Sequence, residues 1–205
     1  SGPGKSNSSV FNNAGTGHEA NCELNYTPVD EDLIEIEKAL DIHAQFNVAK
    51  QFWAYLINKG IIKDPASFIH PTKHCTLVHE NSIDMLKFRF EEMSQHHFFE
   101  TMKYTEDHDE IKSWIPYTME NRSRSEKMAA TKIDLGTDIN FQELTEGMAA
   151  HLEKQEGVEI HYGTQVKRVH KNPTGRWLIE TTKFGEKVQH KADKLFVAAG
   201  GGAFP

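Results

Sequence analysis

Two glycine-containing stretches are the first candidates for ligand chemistry in this chain. Residues 12–18 (NNAGTGH) contain Gly15 and Gly17, and with Ala20 these match the G-x-G-x-x-A spacing of dinucleotide-binding turns. Glycines at such positions let backbone N–H groups approach a phosphate or a ring closely. Residues 7–13 are not a hydrophobic strand, whereas a dinucleotide turn follows one. A tight loop without a ligand is therefore the alternative interpretation.

The second glycine stretch, residues 198–203, follows the apolar run 195–199. A continuous apolar run of this kind is typical of a strand that is buried on both faces. Ligands of open α/β sheets bind at the carboxyl ends of strands, where this turn would lie. Nucleotide contact and close packing of the backbone both explain the pattern.

Four metal-ligating side chains lie close together in sequence, namely His70, His74, Cys75 and His79. The segment should be extended because Pro71 interrupts any helix there. Side chains alternate between the two faces of an extended segment, so His74 should face one side, and Cys75 and His79 the other. This arrangement does not favour a metal site, which needs convergent ligands. His79 by itself could face a substrate.

Arg122 and Arg124 lie in a polar stretch of the chain. An arginine can bind a carboxylate through two hydrogen bonds, so a role in substrate binding is one interpretation. Ordinary surface charge is the other.

Hydrophobic spacing predicts the first two helices. Apolar residues recur at three- and four-residue steps over residues 39–56, which predicts a long helix that ends near Gly60. Ser82 is placed to cap a second helix, whose apolar stripe covers residues 83–93.

The region after the second helix is mostly polar over residues 96–131, with a short helix predicted at 109–114. Residues 136–138 (GTD) predict a turn. Asn140 and Glu143 have the spacing of a capping box at the start of a third long helix.

The last third of the chain has the pattern of a sheet. Short strands are predicted at residues 158–160 and 164–170, and residues 172–175 (NPTG) predict a hairpin turn. A second turn is predicted at residues 184–185, before the buried strand at 195–199. This order of elements indicates an α/β nucleotide-binding domain.

Composition excludes several classes of protein. The 205 residues carry 23 Lys+Arg and 30 Asp+Glu, and this net charge of −7 argues against a nucleic-acid partner. No apolar run reaches the length of a membrane span. Two cysteines provide no disulfide framework, so a reducing cytoplasm is expected. The ending in a glycine turn leads us to expect a piece of a longer protein.

Several long blocks of the chain resemble the malate:quinone oxidoreductase family. They occur in the order of that family and cover nearly the whole chain. The blocks are residues 12–18 (NNAGTGH), 22–28 (CELNYTP), 50–56 (KQFWAYL), 69–72 (IHPT), 136–141 (GTDINF) and 197–203 (VAAGGGA).

The resemblance implies a flavoenzyme that uses FAD to oxidise malate to oxaloacetate and passes the electrons to a membrane quinone, as a step of the tricarboxylic acid cycle. The implied fold is α/β, a partial FAD-binding domain of the glutathione-reductase/D-amino-acid-oxidase type, with an inserted α+β substrate segment. Residues 1–60 and 134–205 would form the partial FAD-binding domain, and residues 61–133 the substrate segment. The implied location is cytoplasmic, peripheral on the inner face of the cell membrane.

The resemblance also implies site residues. The cofactor-binding residues would be Asn13, Ala14, Gly15, Thr16, Gly17, His18, Gly136, Thr137, Val166, Ala199, Gly200 and Gly201. The chemistry requires a base near the C2 hydroxyl of malate and cations for its carboxylates. His18 or His79 could be that base, and Arg122 could meet a carboxylate.

Two alternatives stay open at this point. One is a related FAD enzyme that oxidises another 2-hydroxy acid, such as 2-hydroxyglutarate. The other is a non-catalytic domain in which the histidines bind a metal or a protein. Because the implied family has further parts of the FAD and substrate sites, we expect this chain to be inactive alone.

Overall fold

The computed structural model describes residues 2–30 and 33–200. Within these residues the helices are α1 (Glu37–Asn58), α2 (Ile83–Met93), α3 (His108–Trp114) and α4 (Phe141–Leu152). The strands are β1 (Val29–Asp30), β2 (Leu33–Ile34), β3 (Ile69–His79), β4 (Lys103–Thr105), β5 (Met128–Ile139), β6 (Thr164–Lys171), β7 (Trp177–Lys183) and β8 (Glu186–Ala192).

The three predicted long helices are confirmed. α1 buries Phe46, Trp53 and Leu56 along one stripe, and the chain leaves the helix at Gly60, whose φ is +67°. The start of α4 is fixed by Asn140, whose side-chain oxygen accepts a hydrogen bond from the N–H of Glu143 at 3.2 Å. This is the capping interaction that the spacing of these two residues predicts.

The largest sheet is antiparallel, with β5 between β3 and β4. β3 and β5 pair from Ile69↔Ile139 to His79↔Met128, with one bulge between Thr72 and His74. The inward face of β3 carries His74, Thr76 and Val78, all buried. The opposite face carries Cys75 and His79, so the predicted alternation of side chains is confirmed.

β5 corrects the sequence analysis at two points. The strand begins at Met128, inside the stretch 96–131 for which the sequence predicted only a short helix, and residues 136–138 continue it instead of forming a turn. The reason lies in packing: the ring of His74 lies so close to Gly136 that a Cβ there would be 2.5 Å from it. Gly136 therefore provides room for a neighbouring side chain in a strand.

The core around this sheet lies against α1 and α4. Phe46, Trp53 and Phe68 meet edge to face, with ring centroids 5.6 and 5.8 Å apart, and Ile139 and Leu144 complete the cluster. Edge-to-face contact is a favourable geometry for aromatic pairs. This cluster holds the carboxyl-terminal end of β5 in a fixed place.

The second three-stranded sheet is the predicted meander, with strand order β6-β7-β8. Its first turn is closed by the side chain of Asn172, which accepts hydrogen bonds from the N–H groups of Thr174 and Arg176. Hydrogen bonds and ion pairs made by its described residues stay within residues 159–200.

The prediction of two further strands near this sheet is wrong. Residues 158–160 and 195–199 are not strands, and Phe196 and Val197 are 89% and 58% exposed. A buried strand needs neighbours that pair with it and cover it. Among the described residues, no strand pairs with residues 195–199.

Helices and sheets together confirm the broad α/β class, while the sheets of the described residues are antiparallel. β5 continues through residue 134, where the predicted division between domain parts falls, and that division stays a prediction. In the part of the chain that the structure describes, no helix is both long and apolar enough to cross a membrane.

Candidate functional site

The glycine-rich loop, residues 12–18, lies along the carboxyl-terminal end of β5. The N–H of Gly17 donates to the carbonyl of Thr137 at 2.8 Å, and the N–H of Ile139 donates to the carbonyl of Gly15 at 2.5 Å. Thr16 and Asp138 thus form an antiparallel bridge. The structure therefore brings two groups of predicted cofactor-binding residues together, although more than a hundred residues separate them in sequence.

The two loop glycines are required by close approach to β5. A Cβ on Gly17 would lie 2.1 Å from Oγ1 of Thr137 and 2.9 Å from a ring carbon of Phe46. Gly15 has a φ of +76°, and a Cβ there would lie 2.4 Å from the carboxylate of Asp138. The glycines therefore face protein atoms, so any ligand must approach from the opposite side of the loop.

That opposite side presents backbone groups of Thr16. In an antiparallel pair, bonded and non-bonded positions alternate, and the bonds to β5 are made by Gly15 and Gly17. Among the described residues, the N–H of Thr16 has no hydrogen-bond partner. Asn13 shapes the turn itself, since its side chain accepts from the N–H of Gly15 at 2.9 Å, and Ala14 is exposed.

A buried polar network continues from the loop into the core. The carboxylate of Glu19, only 1% exposed, accepts from Lys50 at 2.9 Å and from Asn21 at 3.1 Å. Asn21 also contacts Nδ1 of His74 at 3.4 Å, and Nε2 of His74 contacts the carbonyl of Thr137 at 3.2 Å. These contacts suit the His74 tautomer with its proton on Nε2, so His74 links the segment that follows the loop to β5.

Arg89, on α2, is fully buried and holds the segment that follows the loop. Its guanidinium donates to the carbonyl of Ala20 at 2.9 Å, to the carbonyl of Asn21 at 3.4 Å and to Oγ1 of Thr27 at 3.0 Å. Burial lowers the pKa of Arg89 to about 10. Ala20 has a φ of +58°, a conformation that a non-glycine residue keeps only when its surroundings enforce it.

His18 lies at the rim of the loop, with its side chain 60% exposed. Its Nδ1 is 3.1 Å from the hydroxyl of Tyr26 and 3.5 Å from Oε1 of Glu23. Burial and the charge of Glu23 raise the pKa of Tyr26, which keeps its hydroxyl protonated. The Nζ of Lys38 lies 5.3 Å from the centre of the Tyr26 ring.

His79 and Arg122 lie at the other end of the sheet. His79 is exposed and pairs with Met128, while Arg122 donates to the carbonyl of Thr118 at 2.9 Å and to Glu126 at 3.1 Å. At the usual rise of a strand, about 30 Å of β5 separates Met128 from Thr137. A single small substrate cannot reach both His18 and His79.

Val166, on β6, and Ala199, which follows the second sheet in the chain, line one hollow of about 570 Å³ with Arg168 and Ile179. β6 is an edge strand with a bulge after Val166, so it has unpaired backbone groups on its outer side. Gly200 is exposed with a φ of +51°, and Gly201 lies outside the described residues.

Sequence analysis alone missed the residues that build the site from within. Glu19, Lys50 and Arg89 are charged side chains at ordinary helix or loop positions, and only the fold shows that they meet. In the described part of the chain, no three His, Cys, Asp or Glu side chains converge on a position that could hold a metal ion.

Comparison with known proteins agrees with the resemblance found in the sequence. The family model described as malate:quinone oxidoreductase matches residues 1–205. A probable malate:quinone oxidoreductase of Bradyrhizobium diazoefficiens is 46% identical over 202 residues, which cover 97% of this chain and 40% of that protein. The corresponding proteins of Granulibacter bethesdensis and a Geobacillus species are 44% and 45% identical, over 97% and 98% of this chain and 41% and 40% of theirs. The chain thus spans about two fifths of the length of these curated relatives.

Proposed function

The chain belongs to the malate:quinone oxidoreductase family, and from this premise we propose that it forms part of an FAD-dependent enzyme that oxidises malate to oxaloacetate. The observation that carries the proposal is the docking of residues 12–18 on β5. This docking places His18, an open backbone edge and two predicted nucleotide-contact segments in one corner.

The residues present fit a flavin nucleotide at this corner. The glycines bring the loop close to β5, and the unbonded N–H of Thr16 is a donor directed away from the sheet. Such a donor at an open edge suits a phosphate or a ring carbonyl. We propose that Asn13, Ala14, Thr16 and His18 contact the cofactor from this side, while Gly15, Gly17, Gly136 and Thr137 set the backbone position.

The hollow on the second sheet is the proposed place of the nucleotide end. Val166 would offer backbone groups of the edge strand to adenine, and Ala199, Gly200 and Gly201 would lie along the same nucleotide. The support is that Val166 and Ala199 line one hollow. The two regions would then belong to a single FAD-binding surface formed by residues 1–60 and 134–205.

His18 is the proposed base of the reaction. Its exposed ring would accept the proton of the C2 hydroxyl of malate through Nε2, since Nδ1 is engaged by Tyr26 and Glu23. When bound, FAD supplies the acceptor for the hydride that leaves C2. Proton and hydride together account for the two electrons and two hydrogens that malate loses in becoming oxaloacetate.

Three cations near the loop are already engaged, because Lys50 pairs with Glu19, Arg89 binds backbone carbonyls, and Lys38 donates to the carbonyl of Asn25 at 3.2 Å. Malate carries two carboxylates, so further cations are needed to bind it. We therefore propose that other parts of the longer protein complete the substrate site and that these 205 residues alone do not turn over malate.

A competing placement puts malate between His79 and Arg122. The observation in its favour is that both face one polar corner, where His79 and Arg122 lie near the carboxylate of Glu126. Since His18 is far from that corner, the two placements exclude each other.

The proposed electron acceptor is a quinone, as the names of the relatives indicate, and we propose that this quinone is in the membrane. The enzyme would then work in the tricarboxylic acid cycle, on the cytoplasmic side, as a peripheral protein of the inner face of the cell membrane.

The test is a visible spectrum of the purified protein, including the sequence that flanks these residues, before and after anaerobic addition of malate. We expect a flavin spectrum that malate bleaches. His18→Gln should retain the flavin and slow bleaching by about 10²- to 10⁴-fold. Bleaching by 2-hydroxyglutarate in place of malate would assign another substrate, and a colourless protein would contradict the flavin proposal.

A further inference from the structure

The contacts of His18 define which of its ring nitrogens is free. The hydroxyl of Tyr26 and Oε1 of Glu23 lie 3.1 and 3.5 Å from Nδ1. Among the described residues, Nε2 makes no hydrogen bond. In a histidine, the partner of one nitrogen decides where the ring proton resides and what the other nitrogen can do.

The position of Glu23 favours a proton on Nδ1 of His18. Its side chain is only 17% exposed, and its Oε2 accepts from the N–H of Cys22 at 3.3 Å. Its Oε1 is buried without a hydrogen-bond partner among the described residues. A buried carboxylate oxygen without a donor is costly, and the nearby Nδ1 of His18 is the donor that would satisfy it.

The segment that carries Glu23 and Tyr26 is itself rigidly held. Arg89 binds the carbonyls of Ala20 and Asn21 before it and Oγ1 of Thr27 after it. Thr27 also donates to the carbonyl of Leu24 at 3.2 Å, which closes the turn. The turn therefore holds both contacts of His18 in a fixed position relative to α2.

We propose that Glu23 and Tyr26 are positioning residues for His18. The carboxylate of Glu23, which can only accept, fixes the ring proton on Nδ1, and the hydroxyl of Tyr26 accepts from the same N–H, so that the lone pair of Nε2 is presented to the substrate hydroxyl. The inference rests on the proposed role of His18 as the base. It adds two residues that do not touch malate but determine whether His18 can accept a proton from it.

The test measures the tautomer directly, without turnover. Protein with its flanking sequence and ¹⁵N-labelled histidine is studied by NMR at about pH 8.5, where imidazoles are ordinarily uncharged, and His18→Gln assigns the signal. We expect the proton of His18 on Nδ1 in the unchanged protein. In Glu23→Gln/Tyr26→Phe it should move mainly to Nε2, the usual preference of a free imidazole. Tyr55→Phe, which alters an exposed tyrosine on α1, is the control and should change nothing.

The kinetic part of the test measures kcat and KM of the same variants, with malate as substrate. Glu23→Gln/Tyr26→Phe should lower kcat about 10- to 100-fold and leave KM nearly unchanged, as is typical for the loss of contacts that orient a catalytic group. A proton on Nε2 in the unchanged protein, or a tautomer that the double variant does not alter, overturns the positioning role. If the tautomer moves but turnover does not, the link to catalysis is wrong. Full turnover in His18→Gln instead refutes the proposed base itself.

Discussion

Replacing Gly17 by alanine should separate the glycine-rich loop from β5. The new Cβ would lie 2.1 Å from Oγ1 of Thr137, and 2.9 Å from both the carbonyl of Thr137 and a ring carbon of Phe46. Ordinary contact begins near 3.4 Å, so the hydroxyl of Thr137 must rotate away and the loop must retreat from the carbonyl and the ring by about half an ångström. Such a shift weakens the hydrogen bond from Gly17 to Thr137 and the one from Ile139 to Gly15.

The loss of stability in Gly17→Ala can be estimated from these contacts. Two weakened hydrogen bonds account for about 1 kcal/mol each, and overpacking in a tight site costs a further 1–3 kcal/mol or so. We expect Gly17→Ala to lower the free energy of unfolding by about 3 kcal/mol. Gly60→Ala is the matched control, since Gly60 has a φ of +67° but no atom within 4 Å of a new Cβ. Its cost is backbone strain alone, about 1 kcal/mol.

The assay is urea unfolding followed by circular dichroism, together with the flavin content of each variant as purified. Thr137→Ala, which removes a buried hydroxyl without a described partner, should recover part of the loss when combined with Gly17→Ala. Recovery is only partial because the clash with the backbone carbonyl remains. If Gly17→Ala is no more destabilising than Gly60→Ala, the account of the loop as sterically fitted to β5 is wrong.

Three further outcomes follow from single residues. Arg89→Met should lower the free energy of unfolding by about 3 kcal/mol, since it leaves buried oxygen acceptors unpaired; urea unfolding measures this, and a loss no larger than that of an exposed arginine would contradict it. Burial raises the pKa of the Cys22 thiol from 9.0 to about 12, so the stability it contributes is present below pH 9 and is lost as pH rises toward 12. Cys22→Ala should therefore unfold with a weaker dependence on pH above pH 9, and an unchanged slope would oppose this reasoning. Arg122→Ala should leave both kcat and KM for malate unchanged, whereas a raised KM would favour the competing placement at His79.

Much of the local structure was predictable because local spacing decides it. The stripe of α1, the cap of α4 at Asn140 and the hairpin at residues 172–175 all depend on residues within a few positions of each other. The meander followed for the same reason. In each case the side chain that determines the element lies inside it, so no distant contact was needed.

The predictions that failed concern residues whose structure depends on contacts with distant parts of the sequence. Residues 136–138 have the composition of a turn, but Gly136 belongs to a strand because the ring of His74 occupies the space of its Cβ. Arg89 interrupts an otherwise apolar helix face. Nothing in the sequence around it predicts that it donates to the carbonyls of Ala20 and Asn21. Residues 195–199 were expected to be buried from composition alone, whereas burial depends on what lies beside them.

The candidate site itself could be predicted only in part. The resemblance linked residues 13–18 with Gly136 and Thr137, but no spacing rule predicts a contact over such a distance in sequence. Nor did it distinguish His18 from His79 as the base. The structure makes the two placements mutually exclusive, because His79 of β3 pairs with the first residue of β5 and the loop that carries His18 lies at the opposite end of that strand.

The docking of the loop also determines which of its positions can report on a ligand. The glycines face β5, so their substitution alters the fold first and cofactor binding second. Thr16 has the opposite character: its bridge to Asp138 is supported by bonds from its neighbours, while its own N–H is directed outward. A change that removes this N–H should therefore weaken flavin binding more than stability. Cofactor retention by a Thr16 variant and unfolding of a Gly17 variant thus test the two opposite faces of one short loop.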